Sequence, residues 1–394
     1  MIFEKKPNIF KRIKNKMAKI KSCVKFIMRH NIKSNNNVLF LSSAEIKGKN
    51  LIQLIYYFTS SGYNCYLDFS FRQCLKLNIH GINAISLQGV FPISKETPKN
   101  SIVISPNKKS LDLFDTNALK IYLRYLEIEK GFRNIKDVSE NDLYYPIGLH
   151  PILYFPSIYG ANTPNAKSDL NFSVETETLK HVFNTERKIG ILFAGAIYSK
   201  KDGHTKKYSR DSIKEKFHVD NRYDVFSYIT EKLSKELIYI PDNLEIFLND
   251  MESGTLRNKI VLIERNAFSI PYDKYFNVLL KTNFFIHMSG VEYPFCHNQI
   301  ESMLAGCIPI TQFARFFLPH FTHESDSLLF NELDDLFSLL TSVTSGKYSS
   351  HLDSMRKGII NYYQNNFSIE SFKNKLHFLL ENEKKHANFW IVIP

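Results

Sequence analysis

Two series of short apolar runs, alternating with helical patterns, constrain the fold most. The first series predicts strands at Val38–Leu41, Tyr63–Leu67, Ala84–Leu87 and Ile102–Ile104, with a helix at Leu51–Ser60. The second predicts strands at Lys188–Phe193, Lys259–Ile263, Phe284–His287 and Ile308–Thr311, and helices at Tyr272–Lys281, Gln299–Ala305, Asp334–Ser342 and Ser368–Glu381. Such alternation is typical of βαβ units around a mainly parallel sheet, so the sequence predicts an α/β fold.

The length of 394 residues favours more than one domain, at about 150 residues each. Residues 156–186, which hold few aliphatic side chains, are interpreted as a connection. We therefore predict a basic segment at 1–36, Rossmann-like domains at 37–165 and 187–375, and a tail at 376–394. The two domains are expected to face a cleft. Since ligands of such sheets bind at the carboxyl ends of the strands, we expect the ligand in this cleft.

Most of the chain's positive charge lies in the first 36 residues. They contribute +10 of the formal net charge of +12 and contain one acid, Glu4. Apolar residues recur there mostly at steps of three or four and predict a basic amphipathic helix: Ile9, Phe10, Ile13, Met17, Ile20, Val24, Ile27 and Met28. This pattern is typical of an anionic membrane interface. The alternatives are a stripe packed on its own domain, or a segment that binds nucleic acid or a partner protein.

Cysteine usage favours a reducing compartment. The five cysteines are odd in number and form no C-x-x-C pair, which indicates cytoplasmic thiols. No uninterrupted run of 18 apolar residues predicts a membrane-spanning helix, and the N-terminus does not resemble a signal peptide. Neither Asp-x-Asp in a strand-end setting nor a His/Cys cluster with ligand spacing occurs, so we expect no metal.

The segment Tyr275–Ile310 carries the most chemical information. Its pattern predicts helix, buried strand, glycine-containing loop, helix, glycine turn and strand. Amides near Asn298–Glu301 could bind a phosphate oxygen at the helix N-terminus, and Glu301 could accept sugar hydroxyls. The spacing of Asn298 and Glu301 also matches a capping box, which needs no ligand.

This segment resembles the C-terminal domain of GT-B glycosyltransferases, and most of all the exostosin-type pattern. Twelve residues fall at the pattern's offsets: Tyr275, Leu279, Thr282, Phe284, Ile286, Gly290, Glu301, Gly306, Cys307, Ile308, Pro309 and Ile310. Lys188–Gly195 more loosely resembles the first strand and glycine loop of that domain. The chain departs from the pattern in two respects: its loop after Gly290 is one residue longer, and Asn298 stands where the family usually has an arginine.

The resemblance implies a nucleotide-sugar donor bound by the C-terminal domain and an acceptor bound by the N-terminal one. Glu301 would bind donor hydroxyls, and Gly290 and Gly195 would let the backbone approach the diphosphate. Because Asn298 replaces the arginine, the diphosphate charge needs another cation. The candidates are Arg210, Lys281 and Arg265, and His297 is a further candidate for contact with phosphate.

Transfer with inversion would require a general base near the acceptor hydroxyl. Asp68, His150 and Glu45 are the candidates, and the sequence does not single one out.

The resulting hypothesis is an inverting, metal-independent glycosyltransferase that acts on a bacterial surface glycan, either lipopolysaccharide or capsule. Its acceptor would be a glycan or lipid-linked glycan. The enzyme would be cytoplasmic and peripheral on the inner face of the membrane, held there by residues 1–36, with no nucleic acid partner. Two alternatives remain: a nucleic-acid-binding protein that uses the basic segment, and a non-catalytic nucleotide-sugar-binding module.

Overall fold

A computed structural model describes twelve stretches of the chain: residues 9–29, 36–46, 48–77, 79–87, 89–93, 102–112, 118–126, 133–149, 174–197, 211–265, 267–290 and 293–392. They divide into two compact units. Unit 1 holds the residues up to 125, then 138–146, and the residues from 369 onward. Unit 2 holds 126–137 and 147–368.

Unit 1 is built on a seven-stranded sheet in the order β3-β2-β1-β4-β5-β13-β6. The strands are β1 (Asn37–Phe40), β2 (Asn64–Leu67), β3 (Val90–Pro92), β4 (Ile102–Ser105), β5 (Lys120–Leu126), β6 (Leu143–Tyr144) and β13 (His386–Val392). The helices are α1 (Ile9–Ile27), α2 (Gly48–Ser60), α3 (Phe71–Cys74), α4 (Ile79–Ser86), α5 (Lys108–Asp112) and α14 (Ile369–Glu381). Strand β1 pairs in parallel with β2 and β4, and its four residues are buried.

The predicted tail at 376–394 is wrong, because these residues complete the first sheet. Strand β13 pairs in parallel with β6. Asp142 accepts hydrogen bonds from the backbone N–H of Asn388 at 3.0 Å and from Nε1 of Trp390 at 3.0 Å. Phe372 of α14 packs on Tyr57 of α2. The C-terminal residues from 369 onward therefore belong to unit 1, where contacts with residues far away in sequence hold them in place.

The strand predicted at Ala84–Leu87 is also wrong. Ala84 and Ile85 lie in α4, which packs on α2 and α1, and the strand that follows is Val90–Pro92. A short apolar run fits a buried strand and a buried helix segment equally well, so its hydrophobicity alone cannot distinguish them.

Unit 2 is built on a six-stranded sheet in the order β12-β11-β10-β7-β9-β8, with parallel pairing throughout. The strands are β7 (Ile189–Gly195), β8 (Ile238–Tyr239), β9 (Ile260–Glu264), β10 (Thr282–Ile286), β11 (Ile308–Thr311) and β12 (Leu328–Leu329). The helices are α6 (Val174–His181), α7 (Asp211–Phe217), α8 (Arg222–Lys232), α9 (Leu244–Ser253), α10 (Tyr272–Leu280), α11 (His297–Leu304), α12 (Leu333–Thr344) and α13 (Leu352–Asn366). Apolar clusters on both faces of the sheet form its core.

The α/β fold class is confirmed: two units, each with parallel strands connected by helices, match the pair of Rossmann-like domains that the GT-B resemblance implies. In unit 2 the parallel arrangement puts the carboxyl ends of β7, β9, β10 and β11 on one edge. The loops that follow these strands therefore lie at that edge, where α/β sheets bind ligands.

Helix α1 is present but packs differently from the self-packing alternative. Cys23 and Phe26 are fully buried against unit 1, whereas Ile20 and Val24 of the predicted stripe are exposed. The helix thus attaches to the unit through a different face. No helix in the described part of the chain is both long enough and apolar enough to span a membrane.

Candidate functional site

The carboxyl edge of the second sheet brings together residues that are far apart in sequence. β7 ends at Gly195, and α11 begins at His297, after the loop that follows β10. Nδ2 of Asn298 donates to the carbonyl of Ala194 at 3.5 Å. A Cβ atom at Gly195 would lie 3.7 Å from Nδ2 of Asn298 and 3.4 Å from Nη1 of Arg222. Gly195, Asn298 and Arg222 therefore form one cluster.

Arg222 is a buried cation that the sequence reasoning missed. Its Nε donates to the carbonyl of Ser289 at 3.0 Å, and its Nη1 donates to the carbonyl of Ala196 at 2.7 Å. Its Nη2 contacts Sγ of Cys296 at 3.7 Å, and the guanidinium lies over the ring of Phe193. Arg222 thus ties the loop after β7 to the loop after β10 and to the start of α11.

The capping alternative for Asn298 and Glu301 is wrong. Helix α11 begins at His297 and is preceded by Cys296, whose backbone N–H donates to Oε1 of Gln299 at 3.3 Å. Asn298 instead accepts a hydrogen bond from Sγ of Cys296 and contacts the loop after β7. Glu301 is the fifth residue of the helix, beyond the reach of the cap, so its carboxylate has a different role.

Glu301 lies beneath an imidazole at the surface. Nδ1 of His297 is 3.1 Å from Oε1 of Glu301, the two residues being one helical turn apart. The side chain of His297 is 43% exposed and that of Glu301 only 1%. A ligand approaching this edge therefore meets His297 first, with the carboxylate behind it.

Tyr272 lies within electrostatic range of both Glu301 and Arg265. Burial and, to a smaller extent, the charge of Glu301 raise the pKa of the Tyr272 hydroxyl, the charge of Arg265 lowers it, and together they bring it to about 12. The backbone N–H of Arg265 donates to the carbonyl of Gly195 at 3.1 Å, and its side chain is exposed. Arg265 is therefore an exposed cation beside the cluster.

Gly290 is required by the loop itself. A Cβ atom there would lie 2.8 Å from the carbonyl oxygens of both Tyr293 and Phe295. The space beside Gly290 is thus filled by the backbone of its own loop. The expectation that Gly290 lets the backbone approach a diphosphate receives no support from this packing.

The prediction that Lys281 belongs to this site is wrong. Lys281 immediately precedes β10, at the amino edge of the sheet, and its Nζ pairs with the carboxylate of Glu252. Glu252 also pairs with Nζ of Lys188 at 2.8 Å, and Lys188 is the residue directly before β7. Because the strands are parallel, these residues lie at the end opposite Glu301.

Arg210 lies outside the described residues, so its assignment stays a prediction.

The three candidate bases differ in what the structure describes of them. Asp68 follows β2, and its Oδ2 and Oδ1 accept the backbone N–H groups of Ser42 and Ser43 at 2.5 and 2.6 Å. This gives Asp68 a structural role in the turn after β1. Glu45 is exposed. Burial raises the pKa of the nearby Tyr125 hydroxyl, and the charge of Glu45 adds to that rise. His150 lies outside the described residues.

A second histidine near the edge is held neutral. His287 is fully buried, and desolvation lowers its pKa to about 3. Its Nε2 is 3.2 Å from Oγ of Ser302, which donates to the carbonyl of Gln299.

Over the part of the chain that the structure describes, no group of three or more His, Cys, Asp or Glu side chains could hold a metal ion. The expected metal independence stays a prediction.

Comparison with known proteins finds similar solved structures only. Anabaena HepE in complex with UDP is 10% identical with a TM-score of 0.42, covering 89% of this chain and all of that one. A Rickettsia africae glycosyltransferase is 12% identical with a TM-score of 0.40, covering 90% of this chain and all of that one. A variant of the wall teichoic acid polymerase TagF is 10% identical with a TM-score of 0.32, covering 95% of this chain and 96% of that one.

Because all of these TM-scores are below 0.5, they carry no inference about this chain. No family model matches the chain, and no curated protein matches it either. The exostosin-type resemblance therefore remains a hypothesis from the residues of this chain.

Proposed function

We propose that this chain is a glycosyltransferase that binds a nucleotide-sugar donor at the carboxyl edge of the second sheet. The observation that carries the proposal is the cluster of Gly195, Arg222 and Asn298 beside the His297–Glu301 pair. Three of these residues, His297, Asn298 and Glu301, lie in the segment that resembles the GT-B donor motif. The cluster combines an imidazole–carboxylate pair with nearby cationic groups.

Each part of the cluster suits one part of a nucleotide sugar. Sugar or ribose hydroxyls would bind the imidazole of His297, whose orientation is fixed by Glu301, or reach the carboxylate where the imidazole moves aside. The exposed guanidinium of Arg265 is the described cation best placed to stabilise the charge that develops on the departing diphosphate. Arg222, whose donors already bind loop carbonyls, would keep those loops in place and act as a positioning residue.

The acceptor side of the reaction is proposed from the sequence. We infer an inverting transfer to a bacterial surface glycan, lipopolysaccharide or capsule, with a base drawn from Asp68, His150 and Glu45. The two hydrogen bonds that Asp68 accepts already explain its position. His150 and Glu45 are accordingly the first residues to replace in a search for the base.

A nucleotide panel tests the donor proposal directly. UDP, GDP, CMP and their sugars are screened for a rise in Tm, and donor turnover is then measured with the nucleotide that binds. Glu301→Gln removes the charge but keeps the side-chain shape. A hydrogen bond to a charged group contributes about 1.5–3 kcal/mol, so donor affinity should fall about 10- to 150-fold.

Glu252→Gln is the matched control, because Glu252 lies at the opposite edge of the same sheet and pairs with Lys188 and Lys281. It should leave the donor affinity unchanged. Equal affinity in Glu301→Gln and the wild type, with both folded, would refute the site. Nucleotide-sugar binding without transfer to any glycan would favour the non-catalytic binding module instead.

A further inference from the structure

Helix α1 is held on unit 1 by one of its faces. Cys23 and Phe26 are fully buried there, where α1 packs on α3, α4 and β3. At its C-terminal end the guanidinium of Arg29 donates to the carbonyls of Ser86 at 2.9 Å and Val90 at 2.8 Å. These contacts fix which side of the helix faces away from the unit.

The outward side carries an apolar stripe, defined here as Met17, Ile20, Val24, Ile27 and Met28. All five are exposed, with Met17 at 66% and Met28 at 69%. At 100° per residue the centre of the stripe lies about 120° around the axis from Cys23 and Phe26. Packing on unit 1 therefore leaves these side chains in contact with solvent.

Exposed lysines flank the stripe on both sides. By helical position, Lys16 lies along one border, and Lys21 and Lys25 lie along the other; all three are exposed. Lys19, on the packed side, donates instead to the carbonyl of Leu77 at 2.6 Å. The sequence contains no acidic residue between Glu4 and Glu45 to neutralise these charges.

The neighbouring helix α3 and the residues directly after it also expose apolar and cationic side chains. Phe71, and Leu75 directly after the helix, are exposed apolar side chains. Arg72 and Lys76 are exposed beside them. Apolar and cationic side chains thus alternate on two helices that pack against each other.

We infer that the stripe docks on the surface of an anionic lipid bilayer, with α1 lying in the plane of the headgroups. Apolar side chains would enter the boundary of the acyl chains, while the flanking lysines would meet the anionic headgroups. A second copy of this chain would bring two sets of lysines together without anions to neutralise them. Nucleic acid would pair with the lysines but leave the stripe exposed to water.

Vesicle sedimentation with the full chain tests this docking. The wild type should pellet with vesicles that contain phosphatidylserine and remain soluble with pure phosphatidylcholine. Ile20→Ser/Val24→Ser/Ile27→Ser should weaken the partition about 10- to 100-fold, because three apolar side chains are lost from the interface. Lys16→Gln/Lys21→Gln/Lys25→Gln should weaken it about 100-fold, since each lysine contributes about fivefold. Fluorescence of the buried Trp390 checks that each variant is folded.

The controls match the variants in chemistry and exposure. Phe378→Ser/Leu380→Ser removes exposed apolar side chains from α14 of the same unit, and Lys232→Gln/Lys235→Gln/Lys357→Gln removes three exposed lysines from unit 2. Both should pellet as the wild type does.

Three results would overturn the inference. One is a stripe variant that pellets like the wild type, and another is equal pelleting with pure phosphatidylcholine. The third is a wild-type dimer that the stripe substitutions convert to a monomer, with no vesicle binding, which would assign the surface to a second copy.

Discussion

Replacement of Arg222 by Met is the sharpest test of how the candidate site is assembled. The side chain is 4% exposed and donates to the carbonyls of Ala196 and Ser289. Methionine fills a similar volume but cannot donate, so both carbonyls lose these hydrogen bonds. The loops after β7 and β10 would then be held only by their remaining contacts.

The magnitude follows from the contacts that are lost. A hydrogen bond from a charged donor contributes about 1.5–3 kcal/mol, and contact of a guanidinium with an aromatic ring about 0.5–1 kcal/mol. Part of this is regained because methionine avoids the burial of a charge. We expect Arg222→Met to lower the free energy of unfolding by about 2–4 kcal/mol, and donor turnover to fall about 100-fold as the loops shift.

Urea unfolding followed by circular dichroism measures the first effect, and donor turnover at a temperature where the variant is folded measures the second. Arg257→Met is the control, because Arg257 is an exposed arginine of the same unit that pairs with Glu186. An exposed pair contributes about 0.5 kcal/mol, so this variant should change little. Equal unfolding of Arg222→Met and Arg257→Met would contradict this role of Arg222. So would an Arg222→Lys variant, which lacks the planar fork, that matches the wild type.

Three further predictions concern stability. In the folded protein the pKa of His287 is about 3, against an ordinary 6.5, so its imidazole stays neutral. As the pH falls, this imidazole is therefore protonated in the unfolded state before it is protonated in the folded state, which favours unfolding. The wild type should therefore lose about 2 kcal/mol between pH 7 and pH 5, and His287→Gln should remove that loss in urea titrations at the two pH values. Asp68→Ala should cost about 1–3 kcal/mol in the same assay, because two backbone N–H groups lose their acceptor; no change would contradict the turn assignment. Gly190→Ala should lower the Tm, because a Cβ there would lie 2.5 Å from the carbonyl of Arg257, at a cost of about 1–3 kcal/mol; an unchanged Tm would contradict it.

Local patterns predicted the segment from α10 to β11 well. The strands at Thr282–Ile286 and Ile308–Thr311 and the helix at His297–Leu304 lie within about two residues of their predicted bounds. Parallel strands that are buried on both faces are continuous apolar runs. Their positions can therefore be predicted from a few adjacent residues. The run at Ala84–Leu87 is too short for this, and its partners on α2 decided that it is helical.

The candidate site divides in the same way. Asn298, His297 and Glu301 share one helix, so the sequence could place them together. Arg222 gives no local signal, because its partners lie 26 to 74 residues away along the chain. Lys281 was misplaced because proximity in sequence to the motif does not tell which edge of a parallel sheet a residue occupies.

The sequence by itself determined the α/β class, the basic amphipathic helix and the segment that carries Glu301. Each of these depends on residues within one or two helical turns or strand lengths of one another. Only the tertiary structure decided that β13 returns to the first sheet, that Arg222 joins the loops of the site, and that α1 packs through Cys23 and Phe26. These outcomes depend on burial and hydrogen bonding between distant parts of the chain, which no local pattern records.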